Sequence, residues 1–511
     1  MARLNKELLK SGYKFPEDIN VGKVKELPEK VLQFGEGGFL RGFVDWMFDK
    51  LINKDLFDGK VVVVQPIQHG MVNMLNDQDG AYTLLLRGIQ NGKRVEEKSI
   101  ITSISRGINP YTEYEEYIKC ASNPDLRVII SNTTEAGIAY DPTDTIDDKP
   151  QKSYPGKLTA FLYKRYQAFN GDPSKGMIII PCELIERNGD NLKKIVFRLA
   201  GEWKLEPAFI EWLEKHNYFL NSLVDRVVTG YPRDEIQELT KAFGYEDNLV
   251  DTAEIFHLWV IEGDKKLAEE LPFTKAGLNV IWTDNMTPYR DRKVRILNGA
   301  HTMTVLAAYL YGKNTVKECM DDELISAYMK KGIFEEIIPT LNLPKDELEK
   351  FANDVLERFE NPYIRHMLLS ISLNSTSKFK ARVLPSLLGY KEKTGKLPEV
   401  LTFSLAALMA FYKGSEIKEV SLIGDRNGEP YNITDDMPVL EMFKSLWSKY
   451  DGTRDSVQTL VETVLSKANM WGQDLNEVSG LTEAVTNYLY EIQTKGIGEV
   501  LEKVTRDNLI K

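Results

Sequence analysis

The chain has few of the residues that build disulfide frameworks and metal sites. Its 511 residues include three cysteines, which lie far apart, and five histidines, no two of which form an H-x3-H pair. An odd number of scattered cysteines fits a reducing compartment and provides neither a disulfide framework nor a Cys-pair zinc site. We therefore expect a mechanism that needs no metal.

Long apolar runs are also lacking. No segment approaches the roughly eighteen consecutive apolar residues of a membrane span. The longest run, VLTFSLAALMAFY at residues 400–412, predicts a buried helix instead. The first residues, MARLNKELLKSGYKF, contain no apolar signal-peptide region. We therefore expect a cytoplasmic protein without a membrane partner.

The chain has no excess of positive charge. It carries 65 Lys and Arg against 76 Asp and Glu, a net charge of −11. This balance argues against a nucleic-acid partner but allows a local basic pocket for an anionic small molecule. The length exceeds that of one core, so two or three domains are expected. No pattern in the sequence predicts an oligomeric state.

The first strong element is a strand, a glycine turn and an amphipathic helix. It is KVLQFGEGGFLRGFVDWMFDKL, residues 30–51. Gly35, Gly37 and Gly38 let the backbone approach a pyrophosphate, which would sit on the N–H groups at the start of the helix. The third glycine of the G-x-G-x-x-G fingerprint is Leu40 here, so the turn is either a dinucleotide loop or an ordinary strand-to-helix turn.

Two positions near this turn bear on the cofactor. Arg41 falls in the first helical turn, where a positive charge opposes the helix dipole, so it is either a surface arginine or a ligand for phosphate or carboxylate. The next strand, GKVVVVQP at residues 59–66, has four consecutive valines, typical of a parallel strand buried on both faces. It ends in Gln65, where an NAD-preferring unit usually has an acid for the adenosine ribose. This position therefore leaves NAD and NADP both open.

The rest of the first half alternates between strands and helices. Ligands of open parallel sheets lie beyond the carboxyl ends of the strands, and the strands LRVIISNTTEAG and GMIIIPCELIERNG both end in polar residues. Each of these residues is either a ligand or a helix cap or turn residue: Asn132, Thr133, Glu135, Glu183 and Asn188. The stretches DQDGAYTLLLRGI and KSIITSISRGI alternate apolar and polar residues and predict an insertion of antiparallel strands.

The pattern changes at about residue 286, after which amphipathic segments of helix length follow one another. Pro288 suits the first turn of a helix and marks the expected boundary. The predicted fold is α/β: a Rossmann-type dinucleotide-binding domain over residues 1–286, followed by an all-α domain over residues 287–511.

The helix expected at this boundary, PYRDRKVRILNGAH at residues 288–301, contains Lys293, Asn298 and His301. At about 100° per residue, His301 lies two turns beyond Lys293 on nearly the same line, and Asn298 shares that face. An amine that removes a proton from a carbinol, with an amide and an imidazole to hold the oxyanion, would suit a dehydrogenase. Burial or nearby arginines would have to favour the neutral amine. The alternative is a solvated basic helix start with a buried histidine.

Five motifs occur in one order: FGEGGFLRGFVDW, SNTTEAG, PCELIERNG, KVRILNGAH and ISLNSTSKFKARVLPS. With them the chain resembles the polyol-specific long-chain dehydrogenase/reductase family, which includes mannitol 2-dehydrogenase and the hexuronate reductases, over nearly its whole length. The resemblance implies a Rossmann-type domain followed by a helical domain, NAD as cofactor and metal-independent oxidation of a secondary alcohol.

The resemblance also implies roles for single residues. Lys293 would be the general acid/base, Asn298 and Asn188 the oxyanion donors, and His301 a partner that orients the substrate. Lys378 would contact the substrate, with Arg382 supporting it. Cofactor contacts are expected at the glycine turn and the following strand ends: Gly35, Gly37, Gly38, Phe39, Arg41, Asn132, Thr133 and Glu135.

The expected substrate is a ketohexuronate that is interconverted with its aldonate, with tagaturonate and altronate as the pair. A carboxylate taken out of water must be paired, and SKFKAR offers cations of which Lys378 and Arg382 share a helix face while Lys380 does not. Leu40 and Phe43 stand where mannitol-type members carry histidines, which argues against a simple mannitol dehydrogenase.

Other readings remain open at this point. Within the same family, the pairs mannitol/fructose and fructuronate/mannonate are alternatives. A non-catalytic dinucleotide-binding or metabolite-sensing protein is an alternative of another class. Tyr289 and Lys293 also form the Y-x3-K spacing of short-chain dehydrogenases, but that motif belongs within a single domain rather than at the start of a helical half.

Overall fold

The computed structural model describes residues 1–506. The chain divides into two compact units, one of Met1–Gly88 with Lys93–Met286 and the other of Ile89–Gly92 with Thr287–Lys511. Almost all strands belong to the first unit and most helices to the second. The first unit is called the sheet unit below, and the second is called the helical unit.

The strands are short, and among residues 1–506 three of them lie in the helical unit. They are β1 (Ala2–Arg3), β2 (Ile19–Val21), β3 (Glu29–Phe34), β4 (Lys60–Val64), β5 (Tyr82–Gln90), β6 (Lys93–Ile101), β7 (Ile104–Ile108), β8 (Val128–Ser131), β9 (Ile178–Pro181), β10 (Tyr218–Phe219), β11 (Asn221–Asp225), β12 (Tyr245–Glu246), β13 (Asp251–Glu254), β14 (Leu258–Glu262), β15 (Val280–Thr283), β16 (Gly414–Lys418), β17 (Ser421–Arg426) and β18 (Glu429–Ile433).

The helices of the sheet unit connect these strands. They are α1 (Lys6–Lys10), α2 (Gly38–Leu40), α3 (Trp46–Asn53), α4 (Val72–Asp77), α5 (Tyr114–Lys119), α6 (Tyr154–Ala168), α7 (Asn188–Glu202), α8 (Pro207–His216), α9 (Ile236–Phe243) and α10 (Leu267–Glu270). A π-helical segment, Arg41–Asp45, joins α2 to α3.

The helical unit continues the numbering. Its helices are α11 (Thr287–Arg292), α12 (Gly299–Tyr311), α13 (Val316–Asp321), α14 (Glu323–Lys331), α15 (Lys345–Phe359), α16 (Leu368–Ile371), α17 (Ser375–Arg382), α18 (Leu384–Thr394), α19 (Glu399–Phe411), α20 (Met437–Trp447), α21 (Arg454–Leu465), α22 (Ala468–Trp471), α23 (Leu481–Lys495) and α24 (Ile497–Arg506). Two π-helical segments, Lys293–Asn298 and Gly332–Ile337, extend α11 and α14.

The main sheet has six strands in the order β10-β9-β8-β3-β4-β7, and all neighbouring pairs are parallel. Numbered along the chain, this order is 3-2-1-4-5-6 read from the β7 edge, which is the strand order of a Rossmann sheet. The order reverses between β3 and β8. The predicted Rossmann-type domain is therefore confirmed.

The valine run of β4 shows why this sheet is buried on both faces. Val61 and Val63 pack on one side with the residues of α3, and Val62 and Val64 pack on the other with α6 and α7. Successive side chains of a strand point to opposite faces, so a sheet covered by helices on both sides needs apolar residues at every position.

The predicted antiparallel insertion is present but shorter than expected. β5 and β6 are neighbours joined by Asn91 and Gly92, which both have positive φ, as a two-residue hairpin turn requires. The stretch KSIITSISRGI, however, divides: its first part lies in β6, and its second part is β7, the third strand of the Rossmann sheet.

The helical unit is built around α19. All residues from Val400 to Phe411 are buried, which confirms the buried helix predicted for this apolar run. Within residues 1–506, no helix combines the length and apolar character needed to cross a membrane.

The helical unit is not made of helices alone. β16, β17 and β18 form a three-stranded antiparallel sheet between α19 and α20. Asn427 and Gly428, both at positive φ, form the turn between β17 and β18. The helical character of this half is confirmed, and the expectation of an all-α domain is corrected by this one small sheet.

Candidate active site

The turn after β3 brings the backbone close to the neighbouring strand. Gly35 has a φ of +122°, and a Cβ at this position would lie 2.9 Å from the carbonyl oxygen of Asn132, just after β8. Glycine is required because side chains rarely adopt this φ and would collide here. Since β3 and β8 are the strands at which the order reverses, the turn lies where such sheets bind dinucleotides.

The next two glycines have different surroundings. A Cβ at Gly37 would meet nothing within 4 Å, whereas one at Gly38 would lie 3.1 Å from Oδ1 of Asp251. The backbone at Gly37 is therefore open to a ligand, and the first N–H groups of the helical segment follow it. Phe39 stacks on Phe43 with 5.2 Å between the ring centroids and packs against the core.

The missing third glycine has a structural explanation. Leu40, which replaces it, is buried in the core. The close approach occurs at Gly42 instead, where a Cβ would lie 3.2 Å from Val228 and 3.3 Å from Asp251. The residue that allows tight packing of the helix is displaced by two positions, so the fingerprint is incomplete while its physical requirement is met.

Arg41 is placed differently from the expected phosphate ligand or surface arginine. It is 3% exposed, and its guanidinium donates from Nε to the carbonyl oxygen of Glu36 at 3.2 Å and from Nη1 to that of Leu249. Its charge lowers the pKa of two buried acids, Asp45 and Asp251, against the larger opposing effect of burial. These contacts give Arg41 a structural role beneath the turn.

Gln33 links one of the buried acids below the turn, Asp45, to the turn itself. Nε2 of Gln33 donates to the carbonyl oxygen of Gly35 and to Oδ2 of Asp45, both at 3.0 Å. Burial raises the pKa of Asp45 to about 7 and that of Asp251 to about 6, because a poorly solvated carboxyl group favours its neutral form. The turn therefore rests on an internal polar network.

The polar residues after β8 and β9 bond mainly to each other. The Glu183 carboxylate accepts hydrogen bonds from Oγ of Ser131 at 3.0 Å and from N and Oγ1 of Thr133 at 2.9 and 2.8 Å, and burial raises its pKa. Nδ2 of Asn132 donates to the carbonyl oxygen of Cys182 at 2.9 Å. Glu135 is exposed. The predicted cofactor positions Asn132 and Thr133 thus hold two strand ends together.

Asn188 does not have a free amide for an oxyanion. Nδ2 lies 3.0 Å from the carbonyl oxygens of Pro181, Glu183 and Ser222, and Oδ1 accepts from the N–H groups of Gly189 and Ser222 at 2.9 Å. Both amide hydrogens are therefore used by the main chain. This geometry differs from the expected donor role, and it makes Asn188 the residue that fastens the start of α7 to β9 and β11.

In the helical unit, Lys293 and His301 are aligned by a π-helical segment. Side chains eight residues apart in an uninterrupted α-helix lie about 80° apart around the axis, so the expected alignment needs a correction. The segment Lys293–Asn298 is π-helical and takes up about one additional residue per turn, which brings this spacing close to two full turns. The backbone thus places Lys293 and His301 on nearly the same line.

The arginines near Lys293 have separate contacts. The Arg292 guanidinium is buried, 4.5 Å from the ring centroid of Phe351 and within 3.8 Å of a Glu347 oxygen. Arg295 donates from Nη1 to Oγ of Ser386 at 3.2 Å, and burial lowers its pKa. These cations add positive charge to the π-helical segment.

His301 is buried in the helical unit. Its ring stacks on Phe359 with 4.2 Å between centroids and meets His366 edge-on at 5.9 Å. The residue is 8% exposed, and its Nε2 has no hydrogen-bond partner within residues 1–506. Burial and the charges of neighbouring basic groups lower its pKa to about 3. The imidazole is therefore neutral at physiological pH, with one buried polar atom left for a ligand.

Four basic side chains act on His301 and are called the basic cluster below: Arg358, His366, Lys378 and Arg382. Lys378 and Arg382 lie half-buried on α17, and burial lowers the pKa of each, while Lys380 is exposed. This division matches the predicted helix faces. Nζ of Lys378 donates to the carbonyl oxygen of Ile371 at 2.8 Å.

Sequence reasoning missed two members of the basic cluster. Arg358 is adjacent to Phe359, which stacks on His301, and His366 follows in the loop after α15. No local pattern joins them to Lys293, Asn298 and His301, because they lie more than fifty residues further along the chain. The scarcity of histidine was the available signal, since His366 is one of only five.

A cluster of cations beside an unpaired imidazole can bind an anion that also carries hydroxyl groups. The cations would pair with the anionic group, and Nε2 of His301 would meet a hydroxyl. Within residues 1–506, no three His, Cys, Asp or Glu side chains are grouped so that they could hold a metal ion.

Comparison with known families matches both halves of the chain. Residues 29–275 match the mannitol dehydrogenase Rossmann domain, and residues 285–493 match the mannitol dehydrogenase C-terminal domain. Together these matches cover most of the chain.

Comparison with curated proteins gives close relatives over almost the full length. Proteins named altronate oxidoreductase from Escherichia coli and Shigella flexneri are each 50% identical over 477 residues, which is 93% of this chain and 97% of theirs.

Two solved structures share the fold. Pseudomonas fluorescens mannitol 2-dehydrogenase, in a ternary complex with NAD and D-mannitol, is 22% identical with a TM-score of 0.68, covering 99% of this chain and 100% of that one. A substrate-free D-sorbitol dehydrogenase is 20% identical with a TM-score of 0.79, covering 98% and 100%. At these identities the likeness concerns the fold.

Proposed function

Because the chain belongs to the mannitol dehydrogenase family, we propose that it is an NAD-dependent oxidoreductase that interconverts tagaturonate and altronate. The observation that carries the choice of a sugar acid is the basic cluster of Arg358, His366, Lys378 and Arg382 around His301. In a protein of net charge −11, half-buried cations such as Lys378 and Arg382 favour a ligand whose carboxylate pairs with them. The names of the relatives at 50% identity support the same substrate pair.

The glycine turn fits a dinucleotide. Gly37 leaves open space at the start of the helical segment, and Gly35 lets the turn lie against the end of β8, which is the arrangement that receives a pyrophosphate. When bound, NADH supplies the hydride for reduction of the keto carbon. The backbone of Gly35, Gly37 and Gly38 would hold the phosphates of this cofactor.

The proton steps belong to residues of the helical unit. In reduction, the Lys293 ammonium gives a proton to the keto oxygen as the carbinol forms, and in oxidation the amine takes it back. The Asn298 amide donates a hydrogen bond to that oxygen. The neutral His301 orients the sugar, since a hydroxyl supplies the partner that Nε2 lacks. No metal has a part in this scheme.

The substrate is tested by comparing tagaturonate with fructose and tagatose, each with NADH, in the wild type and in Lys378→Met. We expect the wild type to prefer the acid. Loss of a charge-assisted hydrogen bond costs about 1.5–3 kcal/mol, so Lys378→Met should raise KM for tagaturonate roughly 10- to 100-fold and barely change the weak reaction with neutral sugars. Lys380→Met is the matched control, because Lys380 is exposed on the same helix.

The outcomes separate three cases. A wild-type preference for a neutral ketose would contradict the sugar-acid proposal. Equal losses on acid and neutral sugars in Lys378→Met would mean that this lysine binds a hydroxyl group common to both. A loss in Lys380→Met as large as that in Lys378→Met would mean that the effect is general to the charge of the helix.

A further inference from the structure

The end of β4 lacks the acid that usually binds the adenosine ribose. Gln65 stands in its place, and its side-chain amide is already hydrogen-bonded within the loop after β4. Nε2 of Gln65 donates to the carbonyl oxygens of Ile67 and Gln68 at 2.9 and 3.1 Å, and Oε1 lies 3.4 Å from the N–H group of Val72. Gln65 thus shapes the loop after β4 and has no donor left for a nucleotide. A ribose at this position needs another polar partner.

Glu36 lies between Gly35 and Gly37 in the glycine turn, and its side chain reaches the loop after β4. A Cβ at Gly70 would lie 2.0 Å from Oε1 of Glu36 and 2.6 Å from Oε1 of Gln65. The two oxygens therefore converge on one point beside the loop after β4. A carboxylate is present at the end of the second Rossmann strand, but it comes from the turn after the first strand.

One oxygen of the Glu36 carboxylate accepts a hydrogen bond from the protein, and the other has no such bond to the part of the chain that the structure describes. Oε1 accepts a hydrogen bond from the N–H group of Met71 at 3.2 Å. Within residues 1–506, Oε2 has no hydrogen-bond partner outside its own residue and is not among the fully buried atoms. The residue is only 7% exposed, and burial raises its pKa. Hydrogen bonds from hydroxyl groups would stabilise a carboxylate that is so poorly solvated.

We infer that Glu36 binds the adenosine ribose hydroxyls and selects NAD over NADP, taking the part that an acid at position 65 would otherwise have. A ribose with free hydroxyls donates to Oε2, whereas a 2′-phosphate would bring negative charge against the carboxylate. This inference rests on the proposed function, because it concerns the dinucleotide of that reaction. It resolves the choice of cofactor that Gln65 leaves open.

The test measures equilibrium binding of NADH and NADPH to the full-length protein. Nucleotide fluorescence in the absence of substrate reports the binding. Glu36→Gln keeps an oxygen for the Met71 N–H group but removes the charge. We expect it to weaken NADH binding and to lower the ratio of the NADPH Kd to the NADH Kd at least about tenfold. Glu17→Gln is the control, since Glu17 is an exposed acid of the same unit and should leave the ratio unchanged.

A second variant separates contact from charge. Glu36→Asp keeps the negative charge but shortens the side chain, so it should weaken NADH binding while NADPH binding stays poor. If NADH and NADPH lose affinity equally in Glu36→Gln, the residue only supports the loop and the inference is overturned. If the wild type binds neither nucleotide, the proposed function itself fails. If the wild type binds NADPH as tightly as NADH, the selectivity assigned to Glu36 does not exist.

Discussion

Lys293 is the residue on which the proposed proton transfer depends. Replacing it with alanine should leave the fold and NADH binding intact, because the side chain is only half-buried at the start of the π-helical segment. We expect kcat to fall by about 10²- to 10⁴-fold, the usual contribution of a positioned acid or base. Steady-state kinetics with saturating NADH and tagaturonate measures this loss. A variant that keeps most of its kcat would refute the assignment of Lys293.

Single residues also show what a sequence can and cannot indicate. Lys293 and His301 could be proposed as site residues because one short segment contains both. The roles expected of Arg41 and Asn188 could not be judged, because a sequence does not reveal which donors the main chain already uses. Arg41 donates to two main-chain carbonyl oxygens, and both amide hydrogens of Asn188 are used by carbonyl oxygens of the main chain.

At the scale of elements, the start of α19 depends on a side chain from another helix. Glu336, which is 3% exposed, accepts hydrogen bonds from the N–H groups of Val400 at 2.9 Å and Leu401 at 3.0 Å. These groups have no partner within α19, because the first turn of a helix leaves its N–H groups unpaired. The central helix of the helical unit is therefore capped from the segment Gly332–Ile337.

Removing this cap should destabilise the helical unit. Glu336→Ala leaves two N–H groups buried without partners, and we expect a loss of about 1–3 kcal/mol in the free energy of unfolding. Urea denaturation followed by circular dichroism measures the change. Glu335→Ala is the matched control, because Glu335 is the preceding residue of the same segment and is exposed. A loss in Glu335→Ala equal to that in Glu336→Ala would contradict a specific cap.

Elements were predictable where their hydrophobic pattern is strong. The valine run of β4 and the apolar run of α19 were identified correctly, since each is buried on all sides. The sheet of β16, β17 and β18 was not, because its strands are short and mix exposed with buried positions. Asn427-Gly428 carried the hairpin signal, but a single turn between short strands was outweighed by the helical segments around it.

At the scale of the whole molecule, the domain boundary near residue 286 could be predicted, because apolar residues recur with a different period in strand-rich and in helix-rich sequence. The two compact units meet in the chain at Met286 and Thr287. The sequence identified Lys378 and Arg382, but it could not predict that Arg358 and His366 join them, since α12, α15 and α17 are far apart in the chain and their packing depends on the tertiary fold.

The overall charge opposes the proposed substrate, while the basic cluster attracts it. Exposed charges are screened by salt much more than buried ones, and at about 0.15 M ionic strength the Debye length is only about 8 Å. The net charge of −11 should therefore repel an anionic sugar most strongly at low salt. The half-buried Lys378 and Arg382 should keep their attraction as salt is added.

Added salt should consequently raise kcat/KM for tagaturonate. At saturating NADH, we expect a rise of about two- to fivefold between roughly 0.01 and 0.15 M NaCl, because the Debye length falls from about 30 to 8 Å and the long-range repulsion is screened. The weak reaction with fructose should stay constant, since a neutral sugar does not feel the net charge. Initial rates at low substrate measure both. A fall in kcat/KM for the acid would show that an exposed basic surface guides the substrate, in contradiction to binding by the half-buried cluster.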